Sequence, residues 1–215
     1  MKTILLKDAA ALIPDGASVM IGGFMGVGTP ERLVDELVRQ GKRNLTIIAN
    51  DNALPGVGIG KLISAGAAKR TIASHIGLNP ETQAKMLAGE LEVDLVPQGT
   101  LIERIRAGGF GLGGVLTPTG VGTVVEKGKQ RIEVAGKPYL VETALRADFA
   151  LVQAFLADYI GNLYYALTAR NFNPVIAMAA DTVIVEADNI VPVGVITPDN
   201  VVTPAPIVDY IVSHA

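Results

Sequence analysis

The 215-residue sequence predicts one α/β domain, residues 1–215, with an open, mainly parallel sheet, helices on both faces and a small β-hairpin or edge-strand region. Short apolar segments alternate with amphipathic segments over the first half of the chain, and this alternation is typical of parallel βαβ units. The apolar fraction is 49% and the charged fraction 18%. Such a composition fits strands buried on both faces, and it also fits a large surface covered by a partner protein.

Four predicted strands and four predicted helices alternate in the first half of the chain. Residues 18–22, with Val, Met and Ile at their centre, are predicted to form a buried strand that leads into a glycine-rich loop. Residues 30–40 have the apolar spacing of an amphipathic helix that ends at Gly41. The same patterns predict strands at residues 45–49, 71–74 and 93–96 and helices at residues 58–65, 80–88 and 101–107.

The second half of the chain is predicted to return to the sheet after a loop and a hairpin. Residues 108–122 contain seven glycines, which favours an ordered loop or a pair of turns over a regular element. Residues 131–134 and 139–141 alternate like a small hairpin. Further strands are expected at residues 148–154, 162–165 and 182–185, and the last thirty residues are expected to form strands and turns along an edge of the sheet.

Several classes of protein are disfavoured by composition. The net charge of −3 and the lack of a basic run argue against a nucleic-acid-binding protein. The absence of cysteine excludes disulfides and a cysteine nucleophile, and with histidines only at His75 and His214 we expect no metal site. The N-terminus lacks the features of a signal peptide, and no run of about 18 apolar residues could span a bilayer. We therefore expect a cytoplasmic protein that does not enter a membrane.

The glycine-rich loop at residues 22–28 is the first candidate for a ligand site. Its four glycines let the backbone approach a ligand closely. Thr29 is expected to cap a helix whose first residue is Pro30, and the free N–H groups of that helix would face an anionic or polarised oxygen. The alternative is that the glycines only permit close packing of strand and helix. The predicted ligand contacts are Gly22, Gly23, Phe24, Met25, Gly26, Val27 and Gly28.

Two neutral amides follow predicted strands and form the second candidate. Gln98 and Asn50 both lie at carboxyl ends of strands, where open α/β sheets bind their ligands. We expect Gln98 to act as a hydrogen-bond donor beside the reacting groups and Asn50 to orient a carboxylate or substrate. The alternatives are that Gln98 caps the helix beginning near Thr100 and that Asn50 and Asp51 belong to a turn. His75 also follows a strand, although a lone histidine is more often structural.

A series of motifs in one order covers almost the whole chain. The first is Asp15-Gly16, an apolar run, Gly-Gly-Phe, three residues and Gly-x-Pro30, and the others lie at residues 48–51, 73–77, 89–93, 97–109, 117–123 and 169–173. In these motifs the chain resembles the alpha subunits of 3-oxoacid and short-chain acyl-CoA transferases, the family I CoA transferases. Residues 23–30 and 74–81 resemble the acetate/acetoacetate branch of that family.

The resemblance implies an enzyme that moves CoA between a short-chain acyl-CoA, such as acetoacetyl-, butyryl- or acetyl-CoA, and a free carboxylate. In this family a glutamate attacks the thioester, and an anhydride and then a glutamyl-CoA thioester follow. That glutamate lies in a Ser-Glu-Asn-Gly segment of the beta subunit, which this sequence lacks. The resemblance thus implies a beta-subunit partner in an α2β2 assembly, coenzyme A as a substrate, and no tightly bound cofactor or metal. It also supports the position of Gln98 at the active site.

Other functions remain open from the sequence. A 3-oxoadipate or other dicarboxylate CoA-transferase subunit shares most of the motifs, and a non-catalytic assembly protein that binds CoA esters would keep the same fold. A thioester hydrolase acting alone would need an internal nucleophile. Glu31, Glu81 and Glu103 lie in or beside the motifs, but the first two have positions typical of first helical turns and the third lies beside arginines.

Overall fold

The described part of the chain alternates strands with short helices. The computed structural model describes residues 2–213, so His214 lies outside the described residues. In chain order the elements are β1 (Lys2–Ile4), α1 (Leu6–Ala11), β2 (Ser18–Ile21), α2 (Glu31–Arg39), β3 (Leu45–Asp51), α3 (Gly60–Ser64), β4 (Ala68–His75), α4 (Pro80–Leu87), β5 (Glu92–Leu95), α5 (Gln98–Gly109), β6 (Gly114–Thr117), β7 (Arg131–Val134), β8 (Lys137–Thr143), β9 (Ala147–Asp158), β10 (Leu163–Tyr164), α6 (Asn173–Ile176), β11 (Ala180–Val191) and β12 (Tyr210–Val212).

The main sheet confirms the predicted α/β class. Within residues 2–213 its strand order is β1-β12-β11-β9-β2-β3-β4-β5, and all these neighbours are parallel. The short β10 is antiparallel to β9. Strand β9 lies between β2 and β11, so the two halves of the chain meet at the centre of one sheet.

Both faces of the sheet are covered, and the alternation within β2 shows why. Val19 and Ile21 join the core that α1, α2 and α3 cover, whereas Met20 joins the opposite core beneath α5 and α6. All three side chains are fully buried. Burial of one such side chain contributes about 1.5–3 kcal/mol, so a strand with three consecutive apolar residues is stable only between two layers of helices.

The glycine-rich segment 108–122 differs from the prediction. Gly108 and Gly109 complete α5, and Gly114 begins β6, which with β8 and β7 forms a three-stranded antiparallel sheet. A Cβ at Gly114 would lie 2.3 Å from the carbonyl oxygen of Glu142 on β8. The glycine therefore allows two strands to approach closely. The predicted turns are present at residues 110–113 and 118–122, but a strand beside the predicted hairpin lies between them.

The start of α2 also differs from the prediction. The helix begins at Glu31. Pro30 occupies the N-cap position, and its side chain forms no hydrogen bond with the first turn. The carboxylate of Glu186 on β11 instead accepts the N–H groups of Arg32 and Leu33, at 3.2 and 2.8 Å. Thr29 is therefore not the cap. The N–H groups that were expected to face a ligand are bound within the protein.

The end of the chain lies deeper in the sheet than predicted. Strand β12 pairs with β11 on one side and with β1 on the other, so the edge is formed by residues 2–4 rather than by the last thirty residues. No helix within residues 2–213 has the length and apolar character needed to cross a membrane.

Candidate active site at the carboxyl edge of the sheet

An open cleft of about 520 Å³ lies at the carboxyl ends of β3 and β4, beside the glycine-rich loop. Its lining residues lie at or just after the carboxyl ends of four neighbouring strands, β2 to β5, because parallel strands all end at this edge. They are Phe24, Met25, Asn50, Asp51, Ser74, His75, Leu78 and Gln98. The structure thus brings both predicted amides and part of the predicted loop into one cleft.

The two amides are joined directly. The Nε2 group of Gln98 donates to Oδ1 of Asn50 at 3.2 Å. Gln98 is the first helical residue of α5 and is exposed, whereas Asn50 belongs to β3 and is only 2% exposed. The side chain of Gln98 therefore does not cap the helix. Asn50 and Asp51 end strand β3, and Asp51 also accepts the N–H of Ala53 two residues later, as in an Asx-turn.

Asp51 connects the amides to the loop. Its Oδ2 accepts the N–H of Met25 at 2.9 Å and Nδ2 of Asn50 at 2.7 Å, and its Oδ1 accepts the N–H of Ala53 at 2.7 Å. Ser74 adds a hydroxyl donated to the main-chain oxygen of Asn50 at 2.7 Å. The carboxylate is 5% exposed and is engaged through both oxygens.

The loop forms a two-residue turn with an apolar tip. Phe24 and Val27 exchange two main-chain hydrogen bonds of 3.0 Å, and Met25 and Gly26 between them have φ values of +50° and +89°. Positive φ at both central residues is what a type I′ hairpin turn requires. Phe24, Met25 and Val27 are 45%, 44% and 54% exposed, so the loop presents apolar side chains to its surroundings.

The glycines of the loop lie against protein atoms. A Cβ at Gly22 would lie 1.8 Å from Oδ1 of Asn173, and one at Gly23 would lie 2.2 Å from Oγ1 of Thr29. Asn173 is fully buried, donates to the carbonyl oxygens of Gly28 and Ala169 and accepts the N–H of Gln153. Close packing therefore accounts for these glycines.

The loop separates the first cleft from a second one of about 380 Å³. Val27 and Gly28 line the second cleft, together with the carboxylates of Glu31, Glu186 and Asp188. Burial raises the pKa of Glu186, and the hydrogen bonds from Leu33 and Arg32 partly oppose this. Three carboxylates disfavour an anionic ligand, whereas the first cleft offers neutral amides.

The glutamates that were considered as nucleophiles have other partners. Glu31 pairs with Lys61 at 2.6 Å, Glu103 pairs with Arg106 at 3.1 Å, and Glu81 accepts the hydroxyl of Ser64. His75 lines the first cleft, and its Cε1 atom lies 2.6 Å from where a Cβ on Gly77 would be. Among residues 2–213, no cluster of three or more His, Asp or Glu side chains is arranged to hold a metal ion.

Comparison with known proteins identifies the family. The coenzyme A transferase family model matches residues 3–214. The chain belongs to the coenzyme A transferase family. The acetate CoA-transferase subunit alpha of Escherichia coli K12 is 56% identical over 211 residues, which cover 98% of this chain and 96% of that protein. The acetoacetyl-CoA:acetate/butyrate CoA transferase alpha subunit of Clostridium acetobutylicum is 52% identical over 213 residues, which cover 99% and 98%.

The fold of this transferase chain is also found among solved structures. An acyl-CoA transferase from Escherichia coli O157:H7, solved as a thioester complex with CoA, superposes with a TM-score of 0.85 at 23% sequence identity. The match covers 98% of this chain and 46% of the longer chain of that enzyme. The likeness supports the shared fold.

Three residues of this coenzyme A transferase chain form hydrogen bonds around the loop and α2 that the sequence did not predict. Asp51 was expected at the same strand end as Asn50 but without a role of its own, and no role was predicted for Asn173 or Glu186. Asn173 holds the loop from 145 residues away, and Glu186 caps α2 across 153 residues. Only the position of Asp51, directly after a candidate residue at a strand end, carries a local signal.

Proposed function

We propose that this chain is the alpha subunit of a heteromeric CoA transferase that moves CoA between a short-chain acyl-CoA and a free carboxylate. Acetoacetyl-, butyryl- and acetyl-CoA are the proposed donors, with acetate among the acceptors. The relatives named as acetate and acetoacetate CoA-transferase alpha subunits, at 56% and 52% identity, support this assignment. The observation on which it depends most is the cleft in which Gln98 and Asn50 are hydrogen-bonded to each other.

The proposed reaction is a double displacement on a glutamate of the beta subunit. The glutamate attacks the thioester carbon, the carbonyl oxygen becomes an oxyanion, and its collapse releases CoA thiolate and leaves an anhydride. The thiolate then attacks the glutamyl carbonyl, which gives a glutamyl-CoA thioester and the free acid. A second carboxylate reverses these steps and leaves as the new acyl-CoA. One N–H of Gln98 is bound to Asn50, and the other is proposed to stabilise the oxyanion or the attacking carboxylate.

The cleft fits a site that a second subunit completes. Among the described residues that line the cleft, Asp51 carries the carboxylate. Both oxygens of this carboxylate already accept hydrogen bonds. The exposed rim contains the apolar side chains of Phe24, Met25 and Leu78. A beta subunit packed on this rim would bury these side chains, exclude water and bring its glutamate to the amides. An α2β2 assembly is the proposed stoichiometry.

The proposal includes no tightly bound cofactor, because the double displacement needs only the carboxylate, the thioester and hydrogen-bond donors. Coenzyme A is the substrate. The proposed ligand contacts of the loop are Phe24 and Met25 in the cleft, with Gly22, Gly23, Gly26, Val27 and Gly28 holding the turn. The proposed location is the cytoplasm, where coenzyme A thioesters are made and used.

The test is CoA transfer from acetoacetyl-CoA to acetate by this chain alone, by its co-encoded beta-type partner alone and by the mixture, with borohydride trapping of the enzyme thioester and peptide mapping. We expect activity only in the mixture and the trapped glutamate on the partner. Activity and label on this chain alone would refute the division of labour. Binding of CoA esters without transfer would instead support a non-catalytic role, and preference for dicarboxylate substrates would support a 3-oxoadipate type.

The role of Gln98 is tested in the assembled enzyme. Gln98→Ala removes the proposed donor, and we expect kcat to fall about 10²–10³-fold, as for the loss of an oxyanion donor. Gln40→Ala is the matched control, because Gln40 also donates through Nε2, to the carbonyl oxygen of Lys7, but lies outside the cleft. A value of kcat within about twofold of wild type for Gln98→Ala would exclude the donor role.

A further inference from the structure

The hydrogen bonds around Asp51 determine which way the neighbouring amides point. An ionised carboxylate only accepts hydrogen bonds, so Asn50 must turn its Nδ2 group toward Asp51. The Oδ1 atom of Asn50 then faces Gln98, and Gln98 must in turn present its Nε2 group. The direction of donation therefore runs from Gln98 through Asn50 to Asp51.

We propose that Asp51 is a positioning residue that keeps the amide of Gln98 in its donor orientation at the cleft. This inference rests on the proposed function. Without the carboxylate, Asn50 and Gln98 can each rotate by 180° and still form one hydrogen bond with each other, because each amide carries both a donor and an acceptor. In the reversed arrangement Gln98 offers Oε1 to Asn50, and the position of its N–H groups in the cleft is no longer defined. Asp51 removes this second arrangement.

The same carboxylate fixes the loop beside the amides. Asp51 Oδ2 accepts the N–H of Met25, the residue that has a φ of +50° in the tight turn. Positive φ is unfavourable for a residue with a side chain, so the turn is stable only while other contacts hold it. A single oxygen atom thus sets both the apolar tip of the loop and the polarity of the two amides. The two parts of the proposed site are held in one geometry.

Asp51 itself is not the nucleophile in this proposal. Its Oδ1 accepts the N–H of Ala53 and its Oδ2 accepts two donors, and the side chain is 5% exposed. For Asp51 to attack a thioester, at least one of its oxygens would have to give up its hydrogen bonds. The N–H groups that donate to it would then be buried without an acceptor, which is unfavourable. Asp51 therefore acts through Asn50 and Gln98.

Two substitutions at the same position separate the loss of the acceptor from the loss of charge. Asp51→Ala removes both oxygens. Asp51→Asn keeps one oxygen, which we expect to stay with the two donors of Met25 and Asn50, while the new NH₂ group faces the N–H of Ala53 and that single hydrogen bond is lost. The direction of donation is therefore kept in Asp51→Asn and lost in Asp51→Ala. We expect kcat of the assembled enzyme to fall on the order of 10²-fold for Asp51→Ala, with KM changed much less, and Asp51→Asn to recover most of it.

The decisive measurement is a double-mutant cycle with Gln98→Ala. In the Asp51→Ala background, Gln98→Ala is expected to reduce kcat by less than about fivefold, because its donor is already disoriented. In the Asp51→Asn background it is expected to retain nearly its full effect.

Asp158→Ala is the matched control, because Asp158 is also a buried carboxylate that accepts main-chain N–H groups, from Ile160, Gly161 and Asn162. When two sites are independent, the fold-changes in kcat of the single variants multiply to give that of the double variant, within about twofold. If the fold-reductions in kcat of Asp51→Ala and Gln98→Ala multiply, as those of Asp158→Ala and Gln98→Ala are expected to, the proposal is overturned.

A measurement that does not depend on activity separates this proposal from the proposed function. The side-chain NH₂ signals of Gln98 in the full ¹⁵N-labelled chain are identified by their loss in Gln98→Ala. We expect these signals to shift in Asp51→Ala and to remain near their wild-type positions in Asp51→Asn and Asp158→Ala. Unchanged signals in Asp51→Ala would overturn the positioning role even if the enzyme transfers CoA. An inactive wild-type mixture with shifted signals would refute the proposed function and leave the positioning role supported.

Discussion

Removal of the Asn173 side chain should release the glycine-rich loop. Three main-chain groups lose their partners in Asn173→Ala: the carbonyl oxygens of Gly28 and Ala169, at 2.8 and 3.0 Å from Nδ2, and the N–H of Gln153, at 3.0 Å from Oδ1. The bond to Ala169 is buried and the other two are partly buried. At about 1–3 kcal/mol for the buried group and about 1 kcal/mol for each of the others, the free energy of unfolding should fall by about 3–5 kcal/mol.

The geometry at Gly22 makes this prediction specific. A Cβ at Gly22 would lie 1.8 Å from Oδ1, 2.5 Å from Cγ and 2.9 Å from Nδ2 of Asn173. Gly22→Ala alone should therefore force the Asn173 side chain out of its hydrogen bonds and be strongly destabilising. In the Asn173→Ala background those atoms are gone, and the added methyl group fills part of the space that they leave. We expect Gly22→Ala to be nearly neutral there.

Urea unfolding of the four purified full-length chains, followed by circular dichroism, measures the coupling between the two positions. The expected free energies are strongly non-additive, since the double variant should be about as stable as Asn173→Ala. Kinetic assays of the assembled enzymes should show loss of kcat in both single variants, because the loop lies beside Asn50 and Gln98. If the two destabilisations simply add, the packing explanation for Gly22 is wrong.

Two further predictions concern the buried carboxylate and the loop. Because burial raises the pKa of Glu186, the folded chain binds a proton more tightly than the unfolded chain, and stability from this group is lost as the pH rises above the ordinary value of 4.5. The free energy of unfolding of Glu186→Gln should therefore increase relative to that of wild type as the pH rises. A difference between the urea midpoints of the two proteins that does not change with pH would contradict this. Gly23→Val places a side chain at a φ of +124° and 2.2 Å from Thr29 Oγ1, so we expect a lower melting temperature and impaired transfer. Gly41→Val, at a φ of +69° with open space around it, controls for backbone strain alone, and equal losses in both variants would show that the collision with Thr29 is unimportant.

The sequence was sufficient to predict the main sheet and the meeting of the two amides. Apolar runs at residues 18–22 and 45–49 identify buried strands, and parallel strands necessarily bring their carboxyl ends to one edge. Gln98 and Asn50 could therefore be placed together without knowledge of any contact between them. Their functional roles stay predictions.

Contacts between distant parts of the chain could not be predicted in this way. The cap that Glu186 provides to α2 depends on the register of β11, which no local pattern encodes. The glycines at residues 108–122 suggested loops because glycine is usually a strand breaker, whereas Gly114 allows β6 to lie close to β8. The role of Asp51 depends on an N–H of Met25, 26 residues earlier, whose position is set by the turn.

The position of β9 at the centre of the sheet has a consequence for synthesis on the ribosome. Strand β2 pairs with β9 through Val19 and Phe149, and β1 pairs with β12 through Lys2 and Tyr210. Residues 18–95 can assemble β2 to β5 early, but the nascent sheet keeps an unpaired edge at β2 until β9, which starts at Ala147, has been synthesised. This waiting period exposes an apolar strand edge, so yield should respond to slower translation and to chaperones more than to the stability of the finished fold.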